Sequence, residues 1–242
     1  MSVPIAPLPC HPRAGLLLTF RDPSDAAAVR AAIRSAVGAA QDALPEATVI
    51  GLVTLPLHDE LFATLGGRVI GAPFDAVLEV VLPSGQSMSR LHAIVPALHA
   101  CLVDKLDPAG CAVNVGEALY ANRGQAPHAM VVQFHRDPRA RAIDVMSWWT
   151  TDHIALTLTG AAMMGDYALQ HRHDPVCDEL SQALGFKDSA DIFESVYIRD
   201  LTVWNRAIGI EAGRKGLADE VGRLSHVTMR GAYAEVVARA DP

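Results

Sequence analysis

Met130-Val131-Val132-Gln133-Phe134-His135, stopped by Asp137-Pro138, is a short apolar run closed by a turn signal. The same device stands near the start of the chain, where Ala14 to Phe20 is closed by Asp22-Pro23-Ser24. Each run leads into a helical pattern. In the first case Ser24 or Asp25 can cap an alanine-rich helix that reaches about Leu44 and ends at Pro45. In the second, a helix is expected from about Arg139 to Thr159.

Working outward, Thr48 to Leu55 and Phe74 to Leu82 read as strands, with a short helix and a glycine-marked turn between them over His58 to Ala72. Pro83-Ser84-Gly85 opens a helix over about Ser87 to Leu106, Asp107-Pro108 closes it, and Cys111 to Tyr120 returns as a strand. In the second half Asp166 to His173 is a strand, Pro175 to Gly185 a short helix and Asp191 to Arg199 a strand. Leu201 to roughly Leu224 is helical in pattern, with a break at Gly209 or Gly213. His226 to Val237 fits a closing strand by position and a helix by its alanine content. The order is β-α-β-β-α-β twice, with the polar cluster Asn122 to Pro127 as the boundary, so halves of 1–124 and 125–242 are expected. The fold class is α+β, two tandem ferredoxin-like halves. A four-stranded antiparallel sheet with helices on one face leaves the other bare, and a second sheet supplied by duplication or dimerisation covers it. The space between is filled or becomes a ligand cavity.

Composition bounds the function. Half of the 242 residues are hydrophobic and 19% are charged, as in a packed globular protein. A net charge of −7 without a basic run argues against nucleic acid. No apolar stretch reaches the roughly 18–20 residues of a membrane span, and no signal-peptide order opens the chain, so a cytoplasmic protein is expected. Cys10, Cys101, Cys111 and Cys177 lack C-x-x-C spacing, which favours free thiols over zinc. G-x-G-x-x-G, P-loop, G-x-S-x-G and H-E-x-x-H motifs are all missing.

The second half, about Ala129 to Val237, resembles the EthD family of the dimeric α/β-barrel superfamily. Trp148-Trp149-Thr150-Thr151-Asp152-His153-Ile154-Ala155-Leu156 is similar to the family's Y-W-x-x-x-H-A-P-L, with Trp149 as the tryptophan and His153 as the histidine. Tyr167-Ala168-Leu169-Gln170-His171 is similar to Y-V-Q-N-H. Asp191 to Tyr197 and the helix carrying Leu217-Ala218-Asp219-Glu220 follow the family's third strand and its "Leu-Ala-Asp-Glu" helix. The chain departs from the pattern in lacking the proline after His-Ala and in carrying Trp148 for tyrosine, so family substrates are not carried over. The resemblance implies a dimeric-α/β-barrel-like arrangement and small-molecule chemistry. Members of the superfamily include cofactor-free monooxygenases, cyclases, isomerases and haem enzymes.

At 100° per residue, Val145, Trp148, Trp149, Asp152 and Leu156 share one apolar stripe, which predicts a buried Asp152 with His153 at its edge. A carboxylate there must find a partner or titrate upward, and an imidazole is suited to proton transfer at neutral pH. On the following strand Tyr167, Leu169 and His171 share a face, and Gln133 and His135 share one on the first. If these faces line the cavity, His135, His171 and Tyr167 surround His153. Several histidines could hold a metal, but His-x-His is more often an exposed strand end, and no metal or cofactor is expected. Glu194 and Tyr197 lie on opposite faces of their strand, so one at most faces a cavity. His92 and His99 share a helical face and read as structural.

The expectation is a cofactor-independent enzyme of small-molecule catabolism or biosynthesis, of lyase, isomerase or cyclase type, acting on an apolar carbonyl or aromatic compound. His153 is the acid or base, with Asp152, Tyr167 and His171 orienting substrate or stabilising charge. Trp149, Trp148, His135, Gln133, Tyr197 and Glu194 are the candidate binding residues. The alternatives are a cofactor-free monooxygenase, a haem- or metal-binding oxidoreductase, and a non-catalytic ligand-binding module. The partner is a small molecule, neither nucleic acid nor membrane, with homodimerisation possible.

Overall fold

Apolar runs that alternate with helices close here into one barrel. The computed structural model describes residues 10–55, 74–122, 126–155, 167–171, 176–186 and 190–242; the helix expected over His58 to Ala72 lies outside them. The first half runs β1 (Cys10–Leu18), α1 (Ala26–Ala43), β2 (Thr48–Thr54), β3 (Ala76–Val81), a 3-10 segment (Met88–Ala93), α2 (Ile94–Cys101), a 3-10 turn (Val103–Lys105) and β4 (Ala112–Asn122). The second runs β5 (His128–Arg136), α3 (Ala142–Trp148) with a π turn (Trp149–His153), β6 (Tyr167–His171), α4 (Val176–Leu184), β7 (Ile192–Ile198), α5 (Leu201–Gly209), α6 (Glu211–Asp219) and β8 (Leu224–Ala240). The helix expected over Ser87 to Leu106 is three pieces, and the one from Leu201 breaks after Gly209. His226 to Val237 belongs to a strand.

The strands close in the order β1-β3-β2-β8-β5-β7-β6-β4, and β4 returns to β1. Each half therefore contributes the same order, β4-β1-β3-β2 and β8-β5-β7-β6, in an α+β fold of the dimeric α/β-barrel kind. The closing strand of each half joins it to the other. β8 pairs with β5 through its first part and with β2 through its last, while β4 pairs with β1 and then β6. The register of β8 shifts against β2 at Gly51/Leu52 and against β5 at Gln133/His135.

Both faces of the strands are covered, so they read as continuous apolar runs rather than alternating ones. Outside the first half, α1 buries Val29, Ile33, Ala36, Val37 and Ala40 at helical spacing against Leu16, Leu18, Leu78 and Val80. Asp25 caps α1 by accepting from the Ala28 amide at 2.9 Å. α4 crosses over to this layer: Leu180, Leu184 and Phe186 pack into it, and His99 Nε2 meets the Ala183 carbonyl at 2.9 Å. His92 Nε2 lies 3.6 Å from Glu179 of the same helix, so both histidines clasp the halves together. Outside the second half, Met130, Val132, Phe134, Val196 and Ile198 pack against Val145, Trp148, Trp149, Val203 and Trp204. Among the described residues no helix is long and apolar enough to cross a membrane.

The interior of an eight-stranded barrel is just wide enough for side chains. Leu17, Leu52, Phe74 and Phe193 fill it, with Ala112, Ala129, Ala232 and Ala234 leaving them room. Phe193 reaches from β7 to β1, where a Cβ on residue 15 would lie 2.5 Å from its ring; only Gly15 fits. Beside it the core turns ionic. Arg13 and Glu79, 0% and 1% exposed, form an ion pair. Arg13 Nη2 also donates to Ser195 Oγ at 2.5 Å, the Ser195 hydroxyl donates to Glu79, and the Tyr197 hydroxyl donates to Glu79 Oε2 at 2.8 Å. The Arg13 guanidinium sits 4.8 Å from the Phe193 ring centroid.

Removing one partner of a buried pair leaves a charge in low dielectric, which costs about 3–5 kcal/mol, whereas replacing both by apolar residues is often neutral. Arg13→Met is expected to lower the unfolding free energy measured by urea titration by that amount, and Arg13→Met with Glu79→Leu to recover most of it. A double variant no more stable than the single one would show that the pair contributes only packing.

Cys10, Cys101 and Cys111 are free thiols. Burial pushes the Cys111 thiol up to about 11, and its Sγ accepts from the Thr19 amide at 3.3 Å. Since the thiolate is the reactive form, iodoacetamide at pH 8 should leave Cys111 unmodified in the native protein and label it after urea unfolding, as read by mass spectrometry of its peptide.

Candidate active site in the second helical layer

The two helical layers differ in chemistry. The first is apolar, aliphatic but for Phe20, Phe186 and the Cys111 thiol among its buried members. The second contains three indoles and the buried polar residues His153, Glu194 and Glu220.

Its organising element is the π turn. The Trp149 amide donates to both Val145 and Met146 carbonyls, and the Thr150 and Thr151 hydroxyls donate to the Met146 and Ser147 carbonyls at 2.8 and 2.7 Å. Such side-chain competition loosens the i→i−4 ladder. A π turn closes i→i+5, so successive side chains advance by less than the 100° of an α-helix. The consequence is a change of face. His153 is buried at 2% exposure, and Asp152 points to solvent. The expectation of a buried Asp152 assumed an unbroken α-helix and is corrected by this turn.

His153 stacks on Trp149, ring centroids 4.4 Å apart and planes 12° from parallel, and lies 4.8 Å from the Trp148 centroid. Its Nδ1 is 4.0 Å from Asp219 Oδ2 and its Nε2 is 4.0 Å from Glu220 Oε1. Asp219 is itself fixed, accepting from Trp148 Nε1 at 2.5 Å and from Arg223 Nη1 at 2.7 Å, while the Arg223 guanidinium lies 4.8 Å from the Trp148 ring centroid. Asp219 and Glu220 end α6, and Gly222, at φ +79°, turns the chain from there into β8. The Arg223 and Leu224 amides donate to the Glu220 carbonyl and close that turn. An imidazole set between two carboxylates can take up a proton and be stabilised in its charged form.

The remaining candidates divide by face. Glu194, on β7, lies on the face turned to this layer. Gln133, fully buried, and Tyr197 point the other way, into the barrel with Ala129, Val131 and Phe193. His135 is half-buried, with Nδ1 3.9 Å from Asp191 Oδ2. Gln133, His135 and Tyr197 thus stand on the opposite face of the sheet from His153, and the expected convergence of His135 on His153 is not seen. Tyr167 and His171 lie on β6; their side chains lie outside the described part. Asp219 and Glu220 were not anticipated as site residues, although they end the Leu217–Glu220 stretch noted above. Arg13, Glu79 and Ser195 were not anticipated either; a signal existed for Glu79, a charge inside the apolar run Ala76–Val81.

Because His153 rather than Asp152 faces inward, Asp152→Ala should change stability by no more than about 0.5 kcal/mol. Trp149→Ala, which removes the stacked wall, should cost about 3–5 kcal/mol. Thermal unfolding of both variants checks the register; a large loss with Asp152→Ala would refute it.

No family model matches the chain, and no curated protein matches it. Solved structures do. A provisionally assigned monooxygenase from Lactobacillus acidophilus NCFM is 8% identical over 96% of each chain, with a TM-score of 0.55. An anthrone oxidase-like protein is 9% identical, covering 95% of this chain and 92% of its own, at 0.56. A mutant chlorite dismutase from Candidatus Nitrospira defluvii, in complex with cyanide, is 11% identical over 94% and 91%, at 0.50. The likeness spans both halves and is one of fold: that of the dimeric α/β barrels, with both sheets in a single chain.

Proposed function

We propose that the chain is an enzyme whose halves, 1–124 and 125–242, divide the labour, the first as scaffold and the second, an EthD-type half, as the seat of His153 acid–base chemistry. The observation that carries this reading is the buried imidazole of His153, stacked on Trp149, with a carboxylate oxygen 4.0 Å from each ring nitrogen. The substrate is a small apolar carbonyl or aromatic compound, bound against the indoles. His153 removes a proton from carbon next to the carbonyl, the C–H electron pair passes into an enolate, and Asp219 and Glu220 stabilise the imidazolium. Glu194 belongs to the same layer as a substrate contact. Tyr167 and His171 are retained as orienting residues on the strength of the sequence resemblance, whereas Asp152 lacks the buried position its proposed role needed.

The enolate can be reprotonated elsewhere, expel a leaving group or cyclise, which gives the isomerase, lyase and cyclase outcomes. It can also combine with dioxygen. In that case a CH2 group and O2 become C=O and H2O, with no cofactor consumed. The descriptions of the neighbours as a monooxygenase and as anthrone oxidase-like support this oxidative fate.

The test is conversion of a panel of aromatic ketones and anthrones, followed by mass spectrometry with and without dioxygen. His153→Gln should cut turnover by about 10²–10⁴-fold. It should also abolish the limb of the pH–rate profile that rises as a base loses its proton. Undiminished turnover in His153→Gln would dispose of the proposal, and turnover that is His153-dependent but indifferent to dioxygen would select the lyase or isomerase outcome.

A further inference from the structure

Arg223 stands half-exposed in the turn from α6 into β8. An ion pair with the residue four positions earlier contributes little at such exposure when it stands alone. This one does not stand alone. Arg223 Nη1 donates to Asp219 Oδ1 at 2.7 Å and to the Asp219 carbonyl at 2.6 Å, and the guanidinium carbon lies 4.8 Å from the Trp148 ring centroid. The other carboxylate oxygen, Asp219 Oδ2, accepts from Trp148 Nε1 at 2.5 Å and is the one 4.0 Å from His153 Nδ1. A single carboxylate is thus gripped through both oxygens, by a cation and by an indole, with the imidazole just beyond the grip.

Among the described residues, the charged groups near His153 are Asp219 and Glu220 from the end of α6, Arg223 from the turn after it and Glu194 from β7. Asp152, on His153's own turn, points to solvent, and the Tyr233 phenol of β8 belongs to the same layer. A general base must be unprotonated near its working pH. A carboxylate beside an imidazole favours the charged ring, and a cation favours the neutral one. Arg223 offsets the charge of Asp219. It also helps to hold that carboxylate to Trp148, which keeps it from closing the 4.0 Å gap into a direct ion pair with His153. Both effects have the same sign. The surroundings of Glu194 and Glu220 add to them without reversing what a change at Arg223 does. We propose that Arg223 is a positioning residue for His153: by clamping and offsetting Asp219, it leaves the imidazole unprotonated at neutral pH and so available as the base. This deepens the proposed function, on whose acid–base reading it rests.

Titration of the histidines by ¹³C–¹H NMR tests it on the full-length protein, with no substrate needed. The ten histidines give ten Cε1–H signals, and the one missing from His153→Gln is that of His153. In the unaltered protein its midpoint should lie at or below about 7, close to the ordinary imidazole value. Arg223→Gln should raise it by about 0.5–1 unit, roughly a three- to tenfold gain in proton affinity. Arg223→Lys keeps the charge and should raise it by clearly less. Asp219→Asn should lower it, and Asp219→Asn with Arg223→Gln should bring it back close to its starting value. An arginine that only braced the turn would lower the melting temperature of Arg223→Gln and leave the midpoint where it was. A midpoint above about 8 in the unaltered protein would overturn the inference even if no variant folds. So would an unmoved or lowered midpoint in Arg223→Gln, or equal shifts with lysine and glutamine. In turnover assays the rising limb of the pH–rate profile should follow the midpoint upward in Arg223→Gln. If the midpoint moves as expected while His153→Gln turns over undiminished, the acid–base reading falls and the control of His153 by Arg223 stands.

Discussion

The ion pair between Arg13 and Glu79 is the constraint on which the rest of the barrel depends. The two residues come from neighbouring strands of the first half, yet Ser195 and Tyr197, which hydrogen-bond to them, come from the second. Charges can stay in so dry a place only if the geometry is held on every side. Closing the barrel is what brings β7 across to β1. Should the halves slip by one residue, Ser195 and Tyr197 would turn outward and a charge would be stranded inside. The pair is therefore weak as a source of net stability and strong as a determinant of register. The fit of Phe193 against Gly15 adds a steric version of the same demand, because that approach also exists only in one alignment.

Duplication leaves each half free to specialise. The first half fills the space between sheet and helices with apolar, mostly aliphatic side chains and borrows Leu180, Leu184 and Phe186 from the second to finish it. The second half fills the equivalent space with indoles, an imidazole and carboxyl groups. A layer of that kind is costly to bury, and a protein concerned only with stability would have used the first solution twice. The asymmetry is the physical reason to look for chemistry on the outer side of the second sheet.

Local signals made much of this legible. Apolar runs stopped by Asp-Pro, helices capped at Asp25 and repeated element order gave the strands and their grouping. What failed was whatever depends on distant parts of the chain. Alanine in Leu224–Ala240 left strand and helix equally open, because the reason for Ala232 and Ala234 is the bulk of Phe193 and Tyr197 inside the barrel. Arg13 and Ser195 are 182 residues apart, and no periodicity relates them. The π turn was missed for a different reason. Its cause is local, two threonine hydroxyls bonded back to carbonyls, but a fixed 100° per residue leaves no place for an extra residue in a turn. That single irregularity exchanged Asp152 for His153 on the buried face.

Strand β7 ties the two regions together. Its alternate side chains, Phe193, Ser195 and Tyr197, enter the barrel and are fixed there by packing and by the ion pair. Glu194 and Val196, the residues between them, face the helical layer that holds His153. In a pleated strand the two sets cannot move independently, so the network that fixes register inside also fixes where Glu194 stands outside. The π turn works similarly on the helix, since the same five residues that bury Trp149 also place His153 against Asp219 and Glu220. Preorganisation of a site needs its groups held by packing that has its own reasons to be rigid. Here those reasons are a buried charge pair on one side of the sheet and a widened helical turn on the other.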